Sequence, residues 1–235
     1  MPNILSQDEV DSLLEGITKG KVDTETDVSD RSESIEVYDF SMPHCPVNLS
    51  LPALKSINEK LADLLKKDLQ ALSRAVIDVN LVSTDSVKFN DFCLSIPIPS
   101  ILNIFSIAPL RGYSLVVLEN SMVFSFLESL FGGKGERHVK HEGRCFTAIE
   151  AKIVEKVVKI ILGDLQKAWS DIYEVNPVFI RSEMDPKFVG IGTPDELMVV
   201  FKFEVKLESG TGSINIYMPF SSIKPISEKL KNRRE

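Results

Sequence analysis

"TAIEAKIVEKVVKIILGDLQKAW", residues 147–169, decides the fold. Thr147 is a preferred helix N-cap, and Glu150, three residues later, closes a capping box, so the start of a helix is fixed to the residue. Ile149, Ile153, Val157, Ile161 and Leu165 recur along one face, and Val154, Val158 and Trp169 along a second. A helix apolar on two faces is expected to be largely buried. Strands follow it. They are read at 175–183, after which Asp185-Pro186 breaks the pattern, then at Val199, Phe201, Phe203, Val205 and Leu207, with Lys202, Glu204 and Lys206 outward. Ile214, Ile216 and Met218 mark another strand, and a final helix is expected from Ser221.

The same order stands upstream. A long helix over 52–75 carries Leu54, Ile57, Leu61, Leu64, Leu65, Leu69 and Leu72. A strand at 76–83 and an irregular piece through Asp91 and Ile96 lead to strands at 101–108 and 113–118. Pro109-Leu110-Arg111-Gly112 joins those two, and a helix over 121–131 closes the unit. The two series superpose at a shift of 95, which takes Pro52 to Thr147 and Pro99 to Pro194. A duplicated α-β-β-β-α unit predicts an α/β domain with a pseudo-two-fold axis, its six strands in one mixed sheet covered by helices.

Composition narrows the class. At 235 residues and 43% hydrophobic content the chain holds ample material for a core. Apolar runs stop well short of a membrane span, and no basic and apolar leader opens the chain, so a cytoplasmic protein without direct membrane insertion is expected. Cys45, Cys93 and Cys145 are widely spaced, as reduced thiols are. A net charge of -7, with cations gathered only at Lys229, Lys231, Arg233 and Arg234, argues against nucleic acid as a partner.

The first residues are a separate piece. In "ILSQDEVDSLLEGI", 4–17, Ser6 and Glu9 form a second capping box and Leu5 can staple on Val10. Val10, Leu13, Leu14 and Ile17 line one face, while Asp8, Glu9, Asp11 and Glu15 fill the rest. So short a helix is marginal in water without a surface to receive its stripe. The tether after it, 19–36, is charged and without aromatics, a composition that does not repay ordering. Four parts are therefore expected: a docking helix at 1–18, a linker at 19–37, a domain at 38–231 and a tail at 232–235. A capped helix on such a tether suits a groove on another protein.

These residues resemble the flagellar motor switch protein FliM family of bacteria. Residues 4–14 look like that family's binding peptide for the phosphorylated response regulator CheY. Ile57 to Ser73, "FSIAPLRGYSLVVLE", "FLESLFGGKGE", "HEGRCFTAIEAKIV" and "FIRSEMDP" look like its middle domain. The resemblance implies that Ile4, Leu5, Ser6, Gln7, Glu9, Val10, Asp11, Leu13 and Leu14 contact CheY. It implies that Gly132, Gly133, Lys134 and Gly135 mark the surface for the rotor protein FliG. Neighbouring FliM copies in a ring, and a peripheral place on the cytoplasmic face of the inner membrane in the flagellar basal body, are further implications. The family continues into a FliN-like domain, whereas this chain stops at Glu235. FliN contact is thus expected only through that further domain, and the tail is read as a truncation point.

The glycine loop is not a phosphate loop, since it follows a helix and no GxxxxGK[ST] occurs. A helix C-cap alone would account for Gly132. Gly133 is expected at positive φ or against a partner, and Phe131 is expected in the core. His138, His141 and Cys145 lack a fourth ligand, so no metal and no cofactor is expected; Glu142 and Arg144 are read as surface charges. An enzyme is the alternative reading, because the domain also resembles the CheC and CheX phosphatases of phosphorylated CheY. Their Glu-x-x-Asn pair positions a water. Here Glu59 falls at the acid and Ala62 at the amide, and no Asn in the chain has Glu three residues before it. No catalytic residue is expected.

Overall fold

Two helices of equal length, α1 (Pro52–Ser73) and a later partner at Ala148–Trp169, lie side by side over one face of a sheet. The structure, a computed structural model, describes residues 52–96, 100–133 and 146–231. The docking helix, the tether, Pro99, Lys134, Gly135, the His138/His141/Cys145 cluster and the tail lie outside the described residues.

In chain order α1 is followed by β1 (Ile77–Lys88), α2 (Phe89–Ser95), β2 (Ile101–Ala108), β3 (Tyr113–Leu118) and α3 (Asn120–Leu130). The second half runs α4 (Ala148–Trp169), β4 (Asn176–Glu183), β5 (Leu197–Leu207), β6 (Gly210–Pro219), α5 (Phe220–Ile223) and α6 (Ser227–Lys231). The six strands form one sheet in the order β1-β5-β6-β3-β2-β4. Exchange each strand for its counterpart, β1 for β4, β2 for β5 and β3 for β6, and the order reads the same from the other edge. The pseudo-two-fold axis therefore passes between β3 and β6.

Local irregularities obey the same symmetry. The β1–β5 register slips between Leu81 and Ser83, and the β2–β4 register slips between Phe179 and Arg181. The extra residues are Val82 and Ile180, offset by 98 (180 − 82), whereas the helices are offset by 96 (148 − 52). The single shift of 95 read from the sequence is thus replaced by two values, because the halves differ in the lengths of their connections.

Every strand pairing is antiparallel, which corrects the expected mixed sheet. Hairpins as short as Glu208-Ser209 admit no other pairing. A two-fold axis perpendicular to a sheet also reverses strand direction, so β3 must run against its counterpart β6. The outer strands are exchanged: β1 pairs with β5 of the second half, and β4 with β2 of the first. Neither half owns a complete sheet.

Apolar residues explain the layering. Leu54, Ile57, Leu61, Leu65 and Leu69 of α1 are buried with Val154, Val158, Ile161, Leu165 and Trp169 of α4 against Phe105, Val116, Phe201, Phe203 and Ile216 of the sheet. Burial of each such side chain contributes about 1.5–3 kcal/mol. The opposite face carries a smaller core, with Phe89 and Phe92 of α2 on Leu102, Leu115, Met198 and Tyr217. Phe92 and Tyr217 rings lie 4.3 Å apart. Three expectations need adjusting here. β1 extends to Lys88 because β5 offers it partners that far. The piece read as irregular after it contains α2, a single short helix without a side-chain cap. Pro225 interrupts the final helix, leaving a 3-10 turn at 224–226 between α5 and α6.

Candidate functional site

The glycine loop begins where α3 stops. The Gly132 amide donates to the Ser129 carbonyl at 3.1 Å and the Gly133 amide to the Glu128 carbonyl at 2.9 Å. With Gly132 at φ +79° this is a Schellman termination, in which the left-handed residue closes the helix. The left-handed residue is Gly132 and not Gly133. Gly133 is constrained differently, since a Cβ there would stand 2.4 Å from Cγ of Glu128.

Helix α3 reaches this position by lying directly on β6. At Gly212 a Cβ would meet Cβ of Met122 at 2.4 Å and the Met122 backbone nitrogen at 2.8 Å. Only hydrogen fits there. Met122, Val123, Phe124, Phe126 and Leu127 are buried as a result. Phe124 stacks on Phe146, ring centroids 4.9 Å apart, which ties α3 to the residue before the next capping box.

That box is formed as expected. The Thr147 amide donates to Glu150 Oε2 at 2.8 Å, and the Glu150 amide donates to Thr147 Oγ1 at 3.4 Å. On the next turn Glu155 accepts from Lys159 at 2.8 Å and from Lys152 at 2.9 Å. These two ammonium groups, Lys159 foremost, hold the Glu155 carboxyl down at about 2.

Two large apolar side chains at this end stay in water. Phe131 is 72% exposed, although it was expected in the core, and Ile149 is 71% exposed, although it begins the apolar stripe of α4. Phe131 is the residue after the last helical one, where the chain leaves the line of the buried stripe. Ile149 sits in the first turn of α4, before the helix is covered. Periodicity alone assigns both to the core, and only the helix ends correct it. Gly132, Gly133, Phe131 and Ile149 flank the segment 134–145.

The structure also places the positions compared with the phosphatases. Glu59 and Ala62 line an open groove of about 720 Å³ between α1 and β1, together with Lys55, Asp63 and Asn80. The α4 counterparts of Glu59 and Ala62 are Glu155 and Val158. Ala62 and Val158 are both buried core residues. Neither helix carries an amide at this position. Among the described residues no group of three His, Cys, Asp or Glu side chains could hold a metal ion. No helix among them is long and apolar enough to cross a membrane.

Comparison with known proteins agrees with this architecture. The family model "Flagellar motor switch protein FliM" matches residues 48–234. The flagellar motor switch protein FliM of Pseudomonas aeruginosa is 36% identical over 97% of this chain and 70% of its own length. That of Escherichia coli is 36% identical over 98% and 69%. Among solved structures, the FliM middle domain (51–229) of Vibrio alginolyticus has 30% identity and a TM-score of 0.69, covering 76% of this chain and 99% of that one. A FliG–FliM complex from H. pylori contains a chain with 26% identity and a TM-score of 0.71, covering 76% and 97%. A FliM–SpeE complex from the same organism gives 25% identity and a TM-score of 0.69, covering 77% and 94%.

Proposed function

Because the chain belongs to the flagellar motor switch protein FliM family, we propose that this motor switch component is a two-ended adaptor, holding FliG at one end of its folded domain and phosphorylated CheY on its N-terminal peptide. The FliG surface comprises Phe131, Gly132, Gly133, Lys134, Gly135 and Ile149. The observation that carries it is the exposure of Phe131 and Ile149 beside the helix end that Gly132 closes. Exposed aromatic and aliphatic anchors at a rigid helix end suit a protein partner. The complex of FliG with a relative of the same fold supports the choice of partner.

CheY capture rests on Ile4, Leu5, Ser6, Gln7, Glu9, Val10, Asp11, Leu13 and Leu14. The Ser6/Glu9 pattern and the apolar spacing of these residues are local features of the sequence. Neighbouring copies complete a ring, placed peripherally on the cytoplasmic face of the inner membrane and coupling CheY occupancy to rotation sense. A non-catalytic role is supported by Ala62 and Val158, which are buried at the helix positions where the phosphatase pattern requires an amide.

One experiment separates the two ends. Immobilised chain is exposed to FliG and, separately, to CheY with and without a phosphate mimic. Phe131→Ala should weaken FliG and leave CheY untouched, and Leu13→Ala with Leu14→Ala should do the reverse. Loss of both partners in either variant would sink the two-ended reading, as would undiminished binding in both.

A further inference from the structure

Duplication brings two carboxylates face to face. Asp68 of α1 and Asp164 of α4 occupy the same position in equivalent 22-residue helices, at the offset of 96 that relates them (164 − 68). The helices pass antiparallel, with Lys60 reaching Asp171 at 2.6 Å near one end and Lys167 reaching Asp68 at 3.1 Å farther along. Equivalent residues near the crossing therefore meet. Lys167 Nζ lies 3.1 Å from Asp68 Oδ2 and 2.7 Å from Asp164 Oδ1, so the two carboxyl groups meet across one ammonium group.

Their surroundings differ. The Asp164 side chain is 1% exposed and that of Asp68 34%. Lys167 donates to Asp164 Oδ1 at 2.7 Å as well as to Asp68 Oδ2, while Asp164 Oδ2 is buried without a donor. The α1 counterpart of Lys167 is Ala71, so the symmetry supplies no second cation. Two carboxylates share one ammonium group. Carboxylate oxygens are acceptors only, and two of them bond each other only through a proton.

We propose that the Asp68–Asp164 pair holds one proton, on Asp164, over a pH range in which an isolated aspartate is already ionised, and that this proton makes the α1–α4 contact a pH-sensitive clamp. Burial pushes the Asp164 carboxyl above its ordinary range, and Asp68 adds to the shift. Hydrogen bonding from Lys167 holds Asp68 below its own range, so the proton resides on Asp164. Lys67 of α1 is the other charge acting on Asp68. Other charged groups around α4 are engaged elsewhere: Lys60 with Asp171, Arg181 of β4 with Glu183, and Glu119, ahead of α3, with Ser121 and Ser213. Glu128 of α3 lies against Gly133.

The sign follows from linkage. An acid whose folded-state pKa is raised binds more protons folded than unfolded, so its contribution is present at low pH and is lost as pH rises from the ordinary Asp value through the raised one. The experiment is a ¹³C NMR titration of aspartate Cγ resonances in the whole chain, with a melting curve at each pH. One Asp carboxyl, read at its Cγ resonance, should titrate above all the others, and that titration should be absent from Asp164→Asn. That variant keeps a donor toward Asp68 and should flatten the fall of melting temperature with rising pH. In Asp68→Asn, where no anion receives the proton, the Asp164 titration should move to lower pH. Absence of any elevated Asp titration in the wild type, or its persistence in Asp164→Asn, would overturn the proposal. An unshifted titration in Asp68→Asn would also overturn it, even if Asp164→Asn failed to fold.

Discussion

Gly133 and Glu128 are joined twice: the Gly133 amide donates to the Glu128 carbonyl at 2.9 Å, and the space where a Gly133 side chain would begin is filled by Cγ of Glu128. The glycine loop is thus anchored to its helix at Gly132 and Gly133. Gly132→Ala should cost about 1–2 kcal/mol, since it forces an L-residue into left-handed backbone. Gly133→Ala should cost less, because a flexible carboxylate side chain can move aside. Urea denaturation of the two variants checks the order, and a larger loss at Gly133 would mean that Glu128 cannot yield.

Phe131→Ala should change stability by no more than about 0.5 kcal/mol, as exposed positions do. Phe126→Ala, five residues earlier and buried, should cost about 3–5 kcal/mol. FliG affinity should show the opposite ranking once folded protein is compared, with Phe131→Ala losing about tenfold or more. Calorimetric titration with FliG beside thermal denaturation measures both.

Gly212→Ala should be among the most damaging small substitutions in the chain. Its methyl group would meet the backbone of Met122, which cannot rotate away as a side chain can. The expected result is a loss of about 1–3 kcal/mol, as overpacking gives, with α3 displaced from β6. A weakened Phe124–Phe146 contact would appear as shifted aromatic resonances. Full stability in Gly212→Ala would mean that helix and strand separate easily.

Acid should act on Glu155 in a defined window. Lys159 and Lys152 lower its carboxyl from 4.5 to about 2, so its contribution is present above 4.5 and is lost as pH falls toward 2. Because the trio lies at the surface, the effect is modest and screened by salt. The stability difference between wild type and Glu155→Gln should shrink as pH falls from 5 to 2 and should also shrink in high salt at neutral pH.

Neither half should fold alone. Residues 48–140 leave β1 without β5 and β2 without β4, and the remainder has the complementary gaps. Each piece should lack a cooperative unfolding transition, and mixing the two should restore one. A cooperative transition in either isolated piece would show that the exchanged strands are dispensable.

Much of this arrangement could be read from residues. The capping box at Thr147 and Glu150, the alternation from Val199 to Leu207 and the repeated order of elements gave six strands, the long helices and the two-fold. Strand direction was not legible in the same way, because alternation sets which face a residue takes and says nothing of its neighbour. Helix α2 was missed because seven residues hold too few turns to establish a period. Phe131 and Ile149 were misplaced since a periodic stripe does not reveal where packing ends. Gly132 is the left-handed C-cap that the helix end allows, whereas Gly133, expected at positive φ or against a partner, does not take positive φ; with two adjacent glycines only the hydrogen bonds distinguish them. The Asp68–Asp164 meeting requires knowing that equivalent helices touch.

The exchanged outer strands also set a timetable for synthesis. Ile77 pairs with Leu207, so the first strand to be made waits for 130 further residues before its edge is satisfied (207 − 77). At ribosomal rates of about 5–20 residues per second, that is about 7–26 seconds during which β1 exists without β5. The nascent first half must pass this interval with the apolar faces of α1, β2 and β3 uncovered, and its unsatisfied edges are the surfaces on which a chaperone, or another nascent copy, would first take hold.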